Sequence, residues 1–171
     1  ANRLGIPFIH FAGPYNAENY SSILQNTRMD LIVLSGWLKK IAGLPSTHTF
    51  NIHPALLSVL SGRFGGEGMY GSHVHEAVKA ALDAGEVEEA GCAMHFVTDE
   101  YDRGPVFFEA RIPMRAGVSI EEIREKVNRL EHEWQAKITN SVVHGDISWD
   151  GHDPSSLVVP EGYTYLPRVH S

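Results

Sequence analysis

Apolar positions recur along this chain with two different periods, and the changes between them divide it into strands and helices. The run Leu31-Ile32-Val33-Leu34, bounded by Asp30 and Gly36, is continuously apolar over a strand's length. It predicts a central strand covered on both faces. A second strand is predicted over 49–52, ending at His53-Pro54, because proline has no N–H to give to a ladder. Two neighbouring strands are predicted over 93–97 and 106–111, joined by the polar turn 98–105. Helical spacing governs the rest. Tyr20, Ile23 and Leu24 predict a helix over 16–27 with Asn16 as its cap. Val74, Ala77, Val78, Ala81 and Leu82 form one face of a helix that Ser72 caps and Gly85 stops. The clearest helix opens on Ser119 and Glu122, spaced as a capping box, and runs through Ile120, Ile123, Val127, Leu130, Trp134 and Ile138 to a stop near Gly145. The opening residues read as the end of a helix that runs into a strand over 7–11.

Alternation of helices with strands predicts an α/β fold, a Rossmann-like and mostly parallel sheet with flanking helices. Such sheets bind ligands outside the carboxyl ends of their strands, which places Asn51-Ile52-His53 at the expected site and lets the Asp102 turn reach it. The chain reads as one domain over 1–171, without repeats or an interdomain linker. Residues from about 146 to 171, rich in Asp, Pro and Gly, are expected to form a tail or an edge strand packed on the body.

Composition narrows the partners. With 43% hydrophobic and 20% charged residues over 171 positions, the chain has the makeup of a globular domain with one core. The net charge of −7, without a Lys/Arg cluster, speaks against nucleic acid and for a small molecule. The single cysteine, Cys92, forms no internal disulfide, and the lack of a signal peptide or long apolar run makes a cytoplasmic location, away from membranes, the expectation.

Asn51 and His53, at i and i+2 of a strand, point to one face. An amide N–H and a protonated imidazole aimed at one point would stabilise an oxyanion on a carbonyl, but the commoner role of such a pair, taken alone, is to satisfy backbone groups at a strand end. Asp102, in a turn bounded by glycine and proline, is either a turn residue or a carboxylate that keeps His53 charged and takes a proton from an amine. His95 reads as a hydrogen-bonded core histidine and His132, close to Trp134, as structural. His73 and His75 fit no zinc spacing, so no metal is expected. The stretch 61–71 carries five glycines, enough for backbone to approach a ligand, but is neither a dinucleotide fingerprint nor a Walker motif. Neither a G-x-S-x-G elbow nor an activated cysteine is present.

Taken in order, Asn51-Ile52-His53-Pro54-Ala55-Leu56-Leu57, Gly68-Met69-Tyr70-Gly71 before Val74-His75-Glu76-Ala77, and His95-Phe96-Val97-Thr98-Asp99-Glu100-Tyr101-Asp102-Arg103-Gly104-Pro105-Val106 resemble the glycinamide ribonucleotide formyltransferases of purine synthesis. The resemblance runs from about residue 30 to 144. It implies the formyltransferase fold and metal-free transfer of a formyl group from 10-formyltetrahydrofolate to the amine of glycinamide ribonucleotide. It also implies Asn51 and His53 as oxyanion stabilisers and Asp102 as the group that sustains the imidazolium and relays the amine proton. The folate would lie against Trp37, Leu38, Lys39 and Lys40 and against Thr98, Asp99, Glu100 and Tyr101; the amine substrate would lie against Gly68, Met69, Tyr70 and His75. Assembly as a homodimer is left open.

Two departures from that pattern stand out. The opening strand and phosphate-gripping loop of the family have no counterpart here, so the fold is expected to be N-terminally truncated. In addition, Ser58-Val59-Leu60-Ser61 stands where the family usually has a proline after the paired leucines. Alternative readings are a 10-formyltetrahydrofolate hydrolase, a formyltransferase for another amine, and a non-catalytic folate-binding remnant. Relatives acting on methionyl-tRNA or sugar nucleotides usually carry a C-terminal domain for which 171 residues leave no room.

Overall fold

A computed structural model describes residues 2–168. In chain order the elements are α1 (Ala17–Thr27), β1 (Ile32–Ser35), β2 (Thr49–His53), α2 (Ser72–Asp83), β3 (Glu89–Phe96), β4 (Val106–Pro113) and α3 (Ile120–Val143). Short 3-10 turns occur at Asn2–Leu4, Val59–Gly62 and Pro154–Ser156. The strands form one sheet in the order β1-β2-β3-β4, with α3 packed on β3 and β4 and α2 packed on α3.

Local sequence sets most of these boundaries. The Asn16 side chain accepts a hydrogen bond from the Asn19 N–H at 3.0 Å and opens α1, and Ser119 accepts from Glu122 at 3.1 Å to open α3. α2 differs from expectation. Its cap is Gly71, at φ 61° and ψ −128°, and Ser72 is already its first helical residue. A side chain at position 71 would be strained in that conformation, so a glycine turns the chain where a serine hydroxyl was expected to hold it.

The sheet is mixed. β1 and β2 run parallel, whereas β2 with β3 and β3 with β4 run antiparallel. Helix–strand alternation fixes the layering but not strand direction, and the long connection from Pro54 to Gly71 gives the chain room to reverse before α2. β1 is an edge strand rather than a central one. Its residues alternate between half-buried and exposed, and Val33 faces outward. The 7–11 segment does not form the expected strand. Phe8 and Ile9 are 71% and 56% exposed, and apolar alternation makes a strand only where a partner backbone takes its hydrogen bonds.

The core lies between the sheet and the helices, and aromatic rings dominate it. Phe107 meets Phe96 at 4.9 Å and Phe50 at 5.8 Å between ring centroids, and Phe96 meets Trp149 at 5.7 Å. Residues beyond α3 join this core: Ile147 and Trp149 are buried, and Ser148 bridges to Val158. Farther on, the Tyr165 carbonyl accepts the Glu109 N–H of β4 at 2.8 Å, and its ring lies against Phe108 and Trp134. Truncating Phe107, which is fully buried between two other rings, is expected to cost about 3–5 kcal/mol. Urea unfolding of Phe107→Ala should therefore show a lower midpoint at unchanged slope; a loss below about 1 kcal/mol would contradict this packing.

Candidate active site

The site forms where β2 ends. Strand period places Asn51 and His53 on the same side, and Pro54 releases the chain from the sheet directly afterwards. In register with Asn51 on β3 stands His95. The chain then turns through 97–105 and re-enters the sheet as β4. Gly104 makes that turn feasible: a Cβ there would sit 1.8 Å from the Phe96 carbonyl oxygen, a distance no side chain tolerates. Asp102, inside the turn, has φ 52°, a left-handed conformation that aspartate adopts more readily than most residues.

That conformation brings the Asp102 carboxylate to both histidines. Its Oδ1 lies 3.3 Å from His95 Nε2 and 3.8 Å from His53 Nδ1, and its Oδ2 accepts the Gly66 N–H at 2.9 Å. Asn51 Nδ2 is 3.2 Å from the same His95 nitrogen. The three residues singled out in the sequence therefore meet, and His95 stands among them. Its Nδ1 is 2.9 Å from the Phe96 carbonyl, which only accepts, so that nitrogen carries a hydrogen. A second hydrogen, on Nε2, would be donated to Asp102; without it, Nε2 accepts from Asn51. The core reading of His95 holds for its burial, yet the same ring links two of the three candidate residues.

The loop after β2 supplies backbone groups to the site. His53 Nε2 is 2.7 Å from the Phe64 carbonyl, which assigns the hydrogen to Nε2 and leaves Nδ1 facing Asp102. Gly65 is forced by contact, because a Cβ there would lie 2.5 Å from Leu57 Cδ2 and 2.9 Å from Asp102 Cβ.

Charge in this cluster is set by competing effects. Burial pushes the His53 imidazole below its ordinary pKa of 6.5, with the Asp102 charge and the Phe64 carbonyl acting against that and His95 adding to it. Burial alone would raise Asp102. Hydrogen bonding to His95, the nearby His53 and the Gly66 N–H together outweigh it and hold the carboxyl below 3.8. At neutral pH the resting pair is thus an ionised carboxylate and a neutral imidazole, rather than the protonated imidazole expected from sequence.

These groups lie in a cleft of about 1090 Å³. One wall is Trp37, Leu38, Lys39 and Lys40, braced from behind by α1: Tyr20 donates its hydroxyl to the Lys40 carbonyl at 3.0 Å, and its ring packs edge-on against Trp37. Thr98, Asp99, Glu100 and Tyr101 line the rim, with the Lys40 ammonium over the Tyr101 ring. Met69, Tyr70 and His75 also line the cleft, whereas Gly68 does not; its carbonyl accepts the Tyr70 N–H and faces His73.

The opposite wall is a stripe of α3, Arg124, Asn128, Glu131 and Gln135, with His132 beside it. Sequence reasoning missed this stripe. Its spacing of three and four residues is that of any polar helix face turned to water. His132 lines the cleft, where a structural place was expected. Burial raises Glu131 above the ordinary carboxylate range, partly offset by Asn128. The Cys92 thiol is pushed up to about 12, chiefly by burial, and is no nucleophile at neutral pH. Among the described residues, no group of three or more His, Cys, Asp or Glu is placed to hold a metal ion, and no helix is long and apolar enough to cross a membrane.

The chain is similar in sequence and in fold to known proteins. The phosphoribosylglycinamide formyltransferase of Arabidopsis thaliana chloroplasts is 33% identical over 132 residues, 74% of this chain and 42% of that one. The phosphoribosylglycinamide formyltransferase of Escherichia coli K12 is 36% identical over 107 residues, 60% of this chain and 44% of that one. The chain thus spans less than half the length of either relative. The crystal structure of glycinamide ribonucleotide transformylase 1 from Symbiobacterium toebii superposes with a TM-score of 0.73 at 26% identity, covering 94% of this chain and 73% of that one. Residues 13–139 match the formyl transferase family as a whole, a span that takes in every element from α1 to most of α3 and all of Asn51, His53, His95 and Asp102, and the chain belongs to that family.

Proposed function

We propose that this chain transfers the formyl group of 10-formyltetrahydrofolate to the amine of glycinamide ribonucleotide. The observation that carries the proposal is the convergence of the Asn51 amide, the His53 imidazole and an ionised Asp102 at one end of a large cleft. Formyl transfer to an amine needs an oxyanion site and a base, and the Asn51 amide and the Asp102 carboxylate are groups of the kind each requires. The cleft lies at the upper end of the roughly 300–1,000 Å³ typical of ligand pockets.

In this reading the pterin lies against Trp37 to Lys40 and the backbone of 98–102, while the acceptor lies between Met69, Tyr70, His75 and the α3 wall. The amine nitrogen attacks the formyl carbon, a C–N bond forms, and the carbonyl π pair moves onto oxygen. The Asn51 N–H donates to that oxygen. Asp102, being ionised, accepts the proton that the attacking amine loses, through water. As negative charge grows on the oxygen, His53 Nδ1 becomes more basic and takes that same proton from Asp102, which makes the ring a second donor until the proton passes on. Collapse of the tetrahedral intermediate breaks the bond to the folate N10, which takes up the proton.

An absorbance assay of folate release from a 10-formyl folate, with and without glycinamide ribonucleotide, tests the proposal. Release that requires the ribonucleotide is expected. Release in its absence would make water the acceptor and the chain a hydrolase, and no release from folded protein would sink the reading. Asp102→Asn keeps an oxygen for the Gly66 N–H but loses the charge, so turnover should fall by about 10²–10⁴-fold with folate affinity retained. Unchanged turnover would remove Asp102 from the mechanism.

The pH profile of kcat/KM gives an independent check. Because the folded pKa of His53 lies below 6.5, the imidazole stays neutral until the pH falls beneath that value. The acid limb assigned to His53, by its loss in a His53→Asn variant with residual activity, is therefore expected below pH 6.5, and a limb above it would contradict the assignment.

A further inference from the structure

Beyond the cleft, Glu109 of β4 is almost wholly buried and mostly engaged with one short segment. Its Oε1 accepts the Ser58 N–H at 2.9 Å, and its Oε2 accepts the Ser58 hydroxyl at 2.8 Å. The Arg111 guanidinium closes the arrangement, donating from Nη2 to the same Oε2 and, at 2.8 Å, to Ser58 Oγ. Its Nη1 reaches Glu89 at 3.1 Å. A buried carboxylate is costly without partners, so these donors fix where Ser58 can sit. A residue without an N–H, such as proline, could not make the first bond.

Ser58 begins the loop that serves the active site. Val59 and Phe64 are buried, Leu60 and Ser61 stand in left-handed conformations at φ 48° and 56°, and the loop then presents the Phe64 carbonyl to His53 and the Gly66 N–H to Asp102. Two left-handed non-glycine residues in succession are held there only by the structure around them. The buried charged anchor at the base of this loop is the Glu109–Ser58–Arg111 cluster, while the Arg63–Glu86 pair that ties it farther along is exposed.

We propose that Glu109 is a positioning residue: by pinning Ser58 it sets the register of the 58–66 loop, and through Phe64 and Gly66 it orients His53 and Asp102. The link to catalysis rests on the functional reading above; the mechanical claim does not. Glu109 lies outside the cleft lining and acts only through the loop.

The test follows the rings of His53 and His132 by 15N NMR across a pH titration, in the parent protein, in Glu109→Gln and in Ser58→Ala. His132 lines the same cleft but is carried by α3, so it reports general loosening. Weakening the loop anchor draws the Phe64 carbonyl away from His53 Nε2. That carbonyl favours the charged ring, so its loss should move the His53 midpoint down and speed exchange of the Nε2 hydrogen. His132 should not follow, and kcat/KM should fall about tenfold in Glu109→Gln, mainly through kcat. If Glu109→Gln does not fold, the milder Ser58→Ala, which removes only the hydroxyl arm, decides. An unchanged His53 in folded variants, or equal changes in His53 and His132, would overturn the proposal. A His53 response in a parent protein that transfers no formyl group would leave the positioning standing and the functional reading refuted.

Discussion

The site depends on keeping a negative charge on Asp102 with most of its surface withdrawn from water. Burial alone would protonate it. The carboxylate survives because a ring nitrogen of His95, the His53 imidazole and the Gly66 N–H come to it from three separate parts of the chain. Each of those groups is in turn held by something else: His95 by the Phe96 carbonyl, His53 by the Phe64 carbonyl, and Gly66 by a loop anchored at Ser58. The fold's task here is to bring a strand end, a turn and a loop together without leaving any of them room to relax.

Steric limits reinforce the electrostatic ones. Gly65 admits no side chain because Asp102 and Leu57 occupy the space, and Gly104 admits none because the Phe96 carbonyl does. Asp102 itself takes a left-handed conformation to turn its carboxylate inward. The aromatic core of Phe50, Phe96 and Phe107 lies beneath the same strands, so the packing that stabilises the sheet also fixes the registers that deliver Asn51 and His95.

Much of this was legible in the sequence where the signal is local. Strand period and a terminating proline put Asn51 and His53 on one face, and polar caps at Asn16 and Ser119 marked two helices. What escaped is non-local. The place of His95 beside Asn51 depends on the β2–β3 register, and the Phe64 and Gly66 contacts are backbone groups with no side-chain signature. The stripe from Arg124 to Gln135 looks like a solvated face until α3 is packed against the cleft. Strand direction and the edge position of β1 likewise depend on pairings that apolar alternation cannot specify. The burial that lowers the His53 pKa is a tertiary property and has no signature in the sequence.

Carbon-13 NMR of the side-chain carboxyl groups across an acid titration measures the central charge directly. Asp102 is expected to titrate below 3.8, with His95, His53 and the Gly66 N–H together outweighing burial. A midpoint above the ordinary carboxylate range would mean that burial wins, that Asp102 rests partly protonated near neutrality, and that the proton relay built on its charge is wrong.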